Sequence, residues 1–249
     1  MTKIAFISDI HGNLQALQTV LQRIDQHDFD MILCLGDIVG YGANPKECLQ
    51  LVREREIPCV LGNHDEYVTI YGMPGSQVER LRAEVQQVVA WTQSVLSMGE
   101  LRWLAKLPRF LEAEEFTICH SSFVPKAWTY CMTEDTFALN FHYQDVGLAF
   151  CGHSHSPMIG FDQGDDAQPY VDFIQPQELP EVIDHKIMVN VGSVGQPRDM
   201  DPRACFVSYE VETRHLELVR VEYDIEGAQA AIREAGLPER FAARLGLGK

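Results

Sequence analysis

The chain has 249 residues, 46% of them hydrophobic, with a formal net charge of −16. That apolar share supports a sizeable core and excludes wholesale disorder, and the length suits one large α/β domain or two small ones. The acidic balance argues against a nucleic-acid polymer as main partner, and no apolar run is long enough to span a membrane.

Seven cysteines stand singly inside apolar runs, the pattern of reduced, buried thiols. Met1-Thr2-Lys3 leads into a strand with no signal-peptide pattern, so a cytoplasmic location is expected.

In chain order, Lys3–Ser8 reads as a strand, and Leu14, Leu17, Leu21 and Ile24 predict an amphipathic helix over 13–25. Asp30–Gly36 is a second buried strand, and Pro45 opens a helix reaching about Arg55. Ile57–Gly62 reads as a third strand, and this alternation predicts parallel pairing covered on both faces. Residues 66–110 form a helical insert: a turn at Gly72, Pro74 and Gly75, a long helix over 76–97 and a short one near 101–106. Strand signals resume at 116–120, 147–151, 170–174, 187–191, 204–211 and 216–223, the last two as a hairpin. Two short helices, near 226–234 and 238–244, follow. The expectation is one domain over 1–249, built on two sheets.

The chemistry gathers at strand ends. "FISDIHGNL", residues 6–14, carries Asp9 and His11 two apart, a spacing that on an extended backbone turns both side chains the same way. The second strand ends in Gly36-Asp37 and the third in Gly62-Asn63-His64-Asp65; two later ones end in His120 and in Gly152-His153-Ser154-His155. Any one of these is an ordinary polar strand end. Five together, at the edge where parallel α/β sheets bind ligands, point to a shared metal site. The candidate donors are the imidazoles of His11, His120, His153 and His155, the carboxylates of Asp9 and Asp37, and the Asn63 amide oxygen. They are too many for one ion and right for two. Nitrogen and oxygen donors without thiolate suit Mn²⁺, taken first, or Fe, Co²⁺, Ni²⁺ or Zn²⁺. Cys119 precedes His120 on a strand and faces the core instead.

The blocks DIH, GDIVGYG, GNHD, a lone later histidine and GHSH resemble the five-block signature of the calcineurin-like metallophosphoesterase superfamily. The resemblance implies an α/β fold, a four-layer α/β/β/α sandwich of two mixed sheets. It implies one divalent metal ion on Asp9, His11, Asp37 and His155, and a second on Asp37, Asn63, His120 and His153, so that Asp37 bridges. It implies phosphoester hydrolysis by a hydroxide bridging the two ions, with His64 at the leaving oxygen and Asp65 orienting it. No serine or cysteine nucleophile is required.

The departures narrow the branch. The Ser/Thr protein phosphatases and symmetrical dinucleoside tetraphosphatases carry Asp-Arg-Gly in the second block and Glu after the histidine. This chain has Gly40-Tyr41-Gly42 and Asp65, so a protein-phosphatase assignment is weakened, and that class and the dinucleoside polyphosphate hydrolases stand as alternatives. The compact length, GNHD and "NVGSVGQPRD" (190–199) resemble the small bacterial and archaeal phosphodiesterases, with a small phosphate ester as substrate. Asn190, Ser193 and Arg198 are candidate phosphate contacts, and Tyr67, Trp128 and Tyr130 candidate stacking surfaces. The competing expectation is a non-catalytic interaction scaffold on the same fold, which complete ligand positions and His64 speak against.

Overall fold

The computed structural model describes residues 1–249 except 126–127, 165–166 and 182–184. Strand β1 (Lys3–Ile7) runs parallel to β2 (Met31–Cys34), with helix α1 (Leu14–Asp25) between them and α2 (Pro45–Glu54) after. Asn13 caps α1 by accepting from the Ala16 amide at 3.1 Å, and the stripe Ala16, Leu17, Val20, Leu21 and Ile24 is buried. Helices α3 (Asn63–Ile70), α4 (Ala83–Val95) and α5 (Met98–Leu104) follow. Then come β3 (Phe110–Glu112), β4 (Thr117–Cys119), α6 (Glu134–Tyr143), β5 (Leu148–Cys151), β6 (Met158–Phe161) and β7 (Tyr170–Phe173). The chain closes with β8 (Gln177–Glu178), β9 (Ile187–Asn190), β10 (Ala204–Glu210), β11 (His215–Val221), α7 (Ile225–Glu234) and α8 (Glu239–Ala243).

One sheet has the order β2-β1-β10-β11-β8 and the other β3-β4-β5-β9-β6-β7. Both are mixed: β1–β2, β4–β5 and β5–β9 pair parallel, and the remaining neighbours antiparallel. Alternation along β1 shows how they stack. Ile4 and Phe6 face the second sheet, where Phe6 stacks on Phe150 at 3.9 Å, while Ala5 and Ile7 face α1 and α2. On the far side, Phe137 and Phe141 of α6 cover Ala149 and Met188. The layers are therefore helix, sheet, sheet, helix, as expected.

Two local expectations need correction. Ile57–Gly62 is no strand but a single parallel bridge, Cys34 to Cys59; Pro58 lacks the N–H that would extend the ladder. The helix expected over 76–97 is broken: a 3₁₀ turn (Gln77–Arg80) ends at Leu81, and Gln86 Nε2 holds the break by donating to the Glu79 and Leu81 carbonyls. Helices α3 and α6 and strands β3, β6 and β8 were not expected. The stretch 66–110 is helical as read, and Val78, Val89, Leu96 and Leu104 from it are buried in one cluster with residues of α1 and α2.

Candidate metal centre

β1, β2, β4 and β5 end at one edge of the stacked sheets, and the loops leaving them carry the donors. The backbone is not extended there. Asp9, His11, Asp37, His153 and His155 all lie in the left-handed region, at φ of 52, 49, 54, 67 and 61°. Asp9 and His11 therefore converge through a strained loop and not through strand alternation, which corrects the sequence expectation. Such conformations cost free energy for residues with a Cβ, and persist when their surroundings impose them. Here the loops brace each other: Asp9 N–H donates to the Gly36 carbonyl (3.0 Å) and His11 N–H to that of Asp37 (2.9 Å). At Gly62 a side chain would collide with the Asp37 carboxylate, so glycine lets the two loops touch.

Each carboxylate is split between two tasks. Asp9 Oδ2 accepts the His153 amide (2.9 Å) and Asp37 Oδ1 accepts the His64 amide (2.7 Å). Asp9 Oδ1 and Asp37 Oδ2 are buried and, among the described residues, have no hydrogen-bond partner. Asp37 Oδ2 lies 3.6 Å from His11 Nε2 and 3.3 Å from His120 Nε2. Asp9 Oδ1 lies 3.2 Å from His155 Nε2.

The imidazoles are held in defined tautomers. Nδ1 donates to a backbone carbonyl in His11 (Val39), His120 (Leu35) and His155 (Gln196), leaving each Nε2 facing inward. His153 is reversed: its Nε2 donates to the Trp128 carbonyl at 3.2 Å, leaving Nδ1. As a result His11 Nε2 and His155 Nε2 confront each other at 3.0 Å, two lone pairs with no proton between them. A cation relieves that contact; a proton is disfavoured, because burial holds both rings below the usual histidine range.

Donor atoms fall into two groups, Asp9-His11-His155 and Asp37-His120-His153, each within 4.8 Å. Asn63 Oδ1, 3.1 Å from His120 Nε2, joins the second. The donor set, its orphaned oxygens and its facing lone pairs fit two divalent ions.

Burial pushes His64 down to about 4 and His153 to about 3. His120 is the exception: burial opposes its charge, but the Asp37 carboxylate overrides burial and raises it to about 9. Burial and the neighbouring Asp37 push Asp65 up to about 7.

Asp65 does not touch the His64 ring as expected. Its Oδ1 accepts the Ile38 and Val39 amides and its Oδ2 the Gly62 amide, stapling the Asp37 loop to the start of α3. His64 Nδ1 is buried without a partner among the described residues, and the ring packs against Tyr41 (4.3 Å) and Tyr67 (5.5 Å). Asn190 and Ser193 are fully buried. The Asn190 amide donates to the Gly152 carbonyl and Ser154 Oγ, and Ser193 Oγ to the Asp9 carbonyl, so both brace the donor loops with no donor to spare for a phosphate. Arg198 does face the centre, its Cζ 5.8 Å from the Tyr41 ring centroid, with Nε buried and unpartnered among the described residues. Tyr130 stacks on His153 at 4.1 Å, interplanar angle 6°. The Tyr41 contact with His11 (4.7 Å) was not foreseen; its only signal was the missing arginine at that block.

Loop-borne donors for a metal pair at the edge of two stacked mixed sheets define a metal-dependent hydrolase. The model of the calcineurin-like phosphoesterase superfamily domain matches residues 2–214, and the chain belongs to that superfamily. The chain is 36% identical over 256 residues to an uncharacterized protein of Methanocaldococcus jannaschii, covering 99% of this chain and 98% of that one. It is also similar to the symmetrical bis(5'-nucleosyl)-tetraphosphatase of Vibrio parahaemolyticus, 31% identical over 127 residues, 48% of this chain and 44% of that one. The crystal structure of a metallophosphoesterase from Sphaerobacter thermophilus superposes with a TM-score of 0.83 at 36% identity, covering 100% and 99% of the two chains. A hypothetical protein from Pyrococcus horikoshii OT3 shares the fold at 18% identity, with a TM-score of 0.78 and coverage of 100% and 99%. The protein is a phosphoester hydrolase of a family that uses divalent metals. No helix among the described residues is long and apolar enough to cross a membrane.

Proposed function

We propose that this protein hydrolyses small phosphodiesters or phosphomonoesters with two divalent ions, Mn²⁺ first among them. Asp9, His11, Asp37 and His155 would hold one ion, and Asp37, Asn63, His120 and His153 the other. The observation that supports this best is the pair of lone pairs on His11 and His155, 3.0 Å apart, beside two orphaned carboxylate oxygens. Bound divalent ions supply charge stabilisation to the phosphoryl oxygens and lower the pKa of water.

The chain's own groups do the rest. Asp37 Oδ2 lies between the two imidazole sets and links them. The backbone carbonyls of Val39, Leu35, Gln196 and Trp128 fix which nitrogen of each imidazole faces inward, so the donors are oriented before any substrate arrives. His64, neutral and held between Tyr41 and Tyr67, is the group placed to stabilise the leaving oxygen by donating a hydrogen bond to it. Arg198 supplies the cation for the substrate phosphate that the second block, with Tyr41 in place of arginine, does not.

Hydrolysis of bis-p-nitrophenyl phosphate and p-nitrophenyl phosphate, measured with protein stripped by chelator and then with added Mn²⁺, tests the reading. Turnover restored by Mn²⁺ is expected. Equal, negligible rates with every divalent ion would favour the scaffold reading of the same fold.

A further inference from the structure

Glu66 lies on α3, one helical turn past Asn63, and belongs to neither donor group. Its side chain is only 21% exposed and gathers three separate segments. Oε1 accepts from Arg109 Nη2 (2.9 Å), and Oε2 from Gln77 Nε2 (2.7 Å) and from the Trp128 indole Nε1 (3.2 Å). Arg109 closes the arrangement by laying its guanidinium over the Trp128 ring, 4.2 Å from the centroid. The main chain beside Arg109 is fixed in turn, since the Pro108 carbonyl accepts the Leu61 amide at 2.7 Å.

What Glu66 holds is the segment that faces His153. The Trp128 carbonyl accepts from His153 Nε2 at 3.2 Å, Tyr130 stacks on the same imidazole at 4.1 Å, and the Trp128 ring meets His120 edge to face at 5.7 Å. Residues 128–130 belong to no helix or strand, and among the described residues their only main-chain hydrogen bond is the one to His153. No ladder therefore sets where that carbonyl sits. The indole N–H does: half-buried, it needs an acceptor, and here it has a carboxylate, the stronger kind.

We infer that Glu66 is a positioning residue for the second metal group: through the Trp128 indole it places the carbonyl that orients His153. The inference rests on the two-ion reading and deepens it by naming what keeps the Asp37-His120-His153 group in shape. Helix α3 then serves the centre three times, through Asn63, His64 and Glu66, and Gln77 and Arg109 tie the helical insert to the same point. The Asp9-His11-His155 group is braced from elsewhere, by the Val39 and Gln196 carbonyls, so loss of Glu66 should fall on one ion and not on both.

Calorimetric titration with Mn²⁺ and the ring N–H of His153 test this together. In metal-free wild type the His153 Nε2 proton, assigned by its absence from His153→Ala, is expected to be protected from solvent exchange in proton–nitrogen NMR spectra. In Glu66→Ala that protection should fall about tenfold or more. Of the two Mn²⁺ steps, Glu66→Ala should weaken one by about 10–100-fold, the range for losing a group that orients a metal-bound histidine, and leave the other within about threefold. Glu66→Gln, which still accepts from the indole but gives up the charge facing Arg109, should recover part of both effects. Should Glu66→Ala fail to fold, Trp128→Phe, which keeps a ring and loses the N–H, makes the same comparison. Adding Glu66→Ala to His153→Ala, where that group is already broken, should change Mn²⁺ binding no further. Unchanged protection, equal weakening of both steps, or a further loss in the His153→Ala background would overturn the inference. Wild type that takes up no Mn²⁺ would refute the two-ion reading instead, while exchange in the metal-free protein would still decide whether Glu66 holds His153.

Discussion

At the scale of single residues, the centre is organised by what each side chain does with its second polar atom. Asp9 and Asp37 each hand one oxygen to a backbone amide and keep the other bare, and four histidines each anchor one nitrogen and present the other. His64 does neither, since it offers no donor to the metal groups and its Nδ1 has no partner among the described residues. His64→Ala should therefore retain both ions by metal analysis while losing about 10²–10³ in turnover, the range for a positioned hydrogen-bond donor. Normal rates in that variant would remove it from the mechanism.

His120 gives a second prediction. Its pKa of about 9 in the metal-free protein means that it is an imidazolium at pH 7, and an ion must displace that proton. The other donor histidines are shifted down and are already neutral there. Mn²⁺ affinity at the His120 site should rise about tenfold per pH unit between 7 and 9 and then level, since one proton leaves as each ion binds. A pH-independent affinity over that interval, measured anaerobically by calorimetry, would contradict the argument. The six residues whose donor atoms gather in two groups were legible in the sequence because each is a metal-competent type just past an apolar strand. The Asp65 contact was not: a carboxylate beside a histidine in sequence says nothing of which backbone amides it meets, and here three amides compete for it.

At the scale of elements, the work is done by strand ends that stop early. β1 ends at Ile7 and β2 at Cys34, and left-handed loops then turn Asp9, His11 and Asp37 inward. The apolar runs announced these strands; the loop conformation was invisible because it is imposed by contacts between separate segments. Elements of low signal were missed for a related reason. β6 is four residues long, and α6 buries only Phe137, Asn140 and Phe141, so neither shows a periodicity beyond its tertiary partner. Gly62 is where the loop meeting is tightest. Gly62→Ala is expected to cost about 1–3 kcal/mol by thermal or denaturant unfolding and to lower metal occupancy, because its Cβ would displace the Asp37 carboxylate. Gly99→Ala in α5, where a Cβ would meet only Ser97 Oγ at 3.8 Å, should be neutral or stabilising. Equal behaviour of the two variants would mean that the Gly62 contact is not structural.

For the whole molecule, two mixed sheets face each other across a core in which Phe6, Phe116 and Phe150 interlock. Each sheet contributes parallel strand ends to a single edge: β1 and β2 from one, β4 and β5 from the other. Neither sheet holds a full donor set for both groups, since Asp9, His11 and Asp37 come from the first and His120, His153 and His155 from the second. Metal binding at these two groups would thus join the two halves of the sandwich, with the joining concentrated at Asp37. Metal analysis of wild type and Asp37→Asn after equilibration with Mn²⁺ and removal of free ion tests this most directly. Two ions per wild-type chain are expected, and the loss of both in the variant. Wild type without bound ions, or a variant that keeps one at full occupancy, would contradict that expectation.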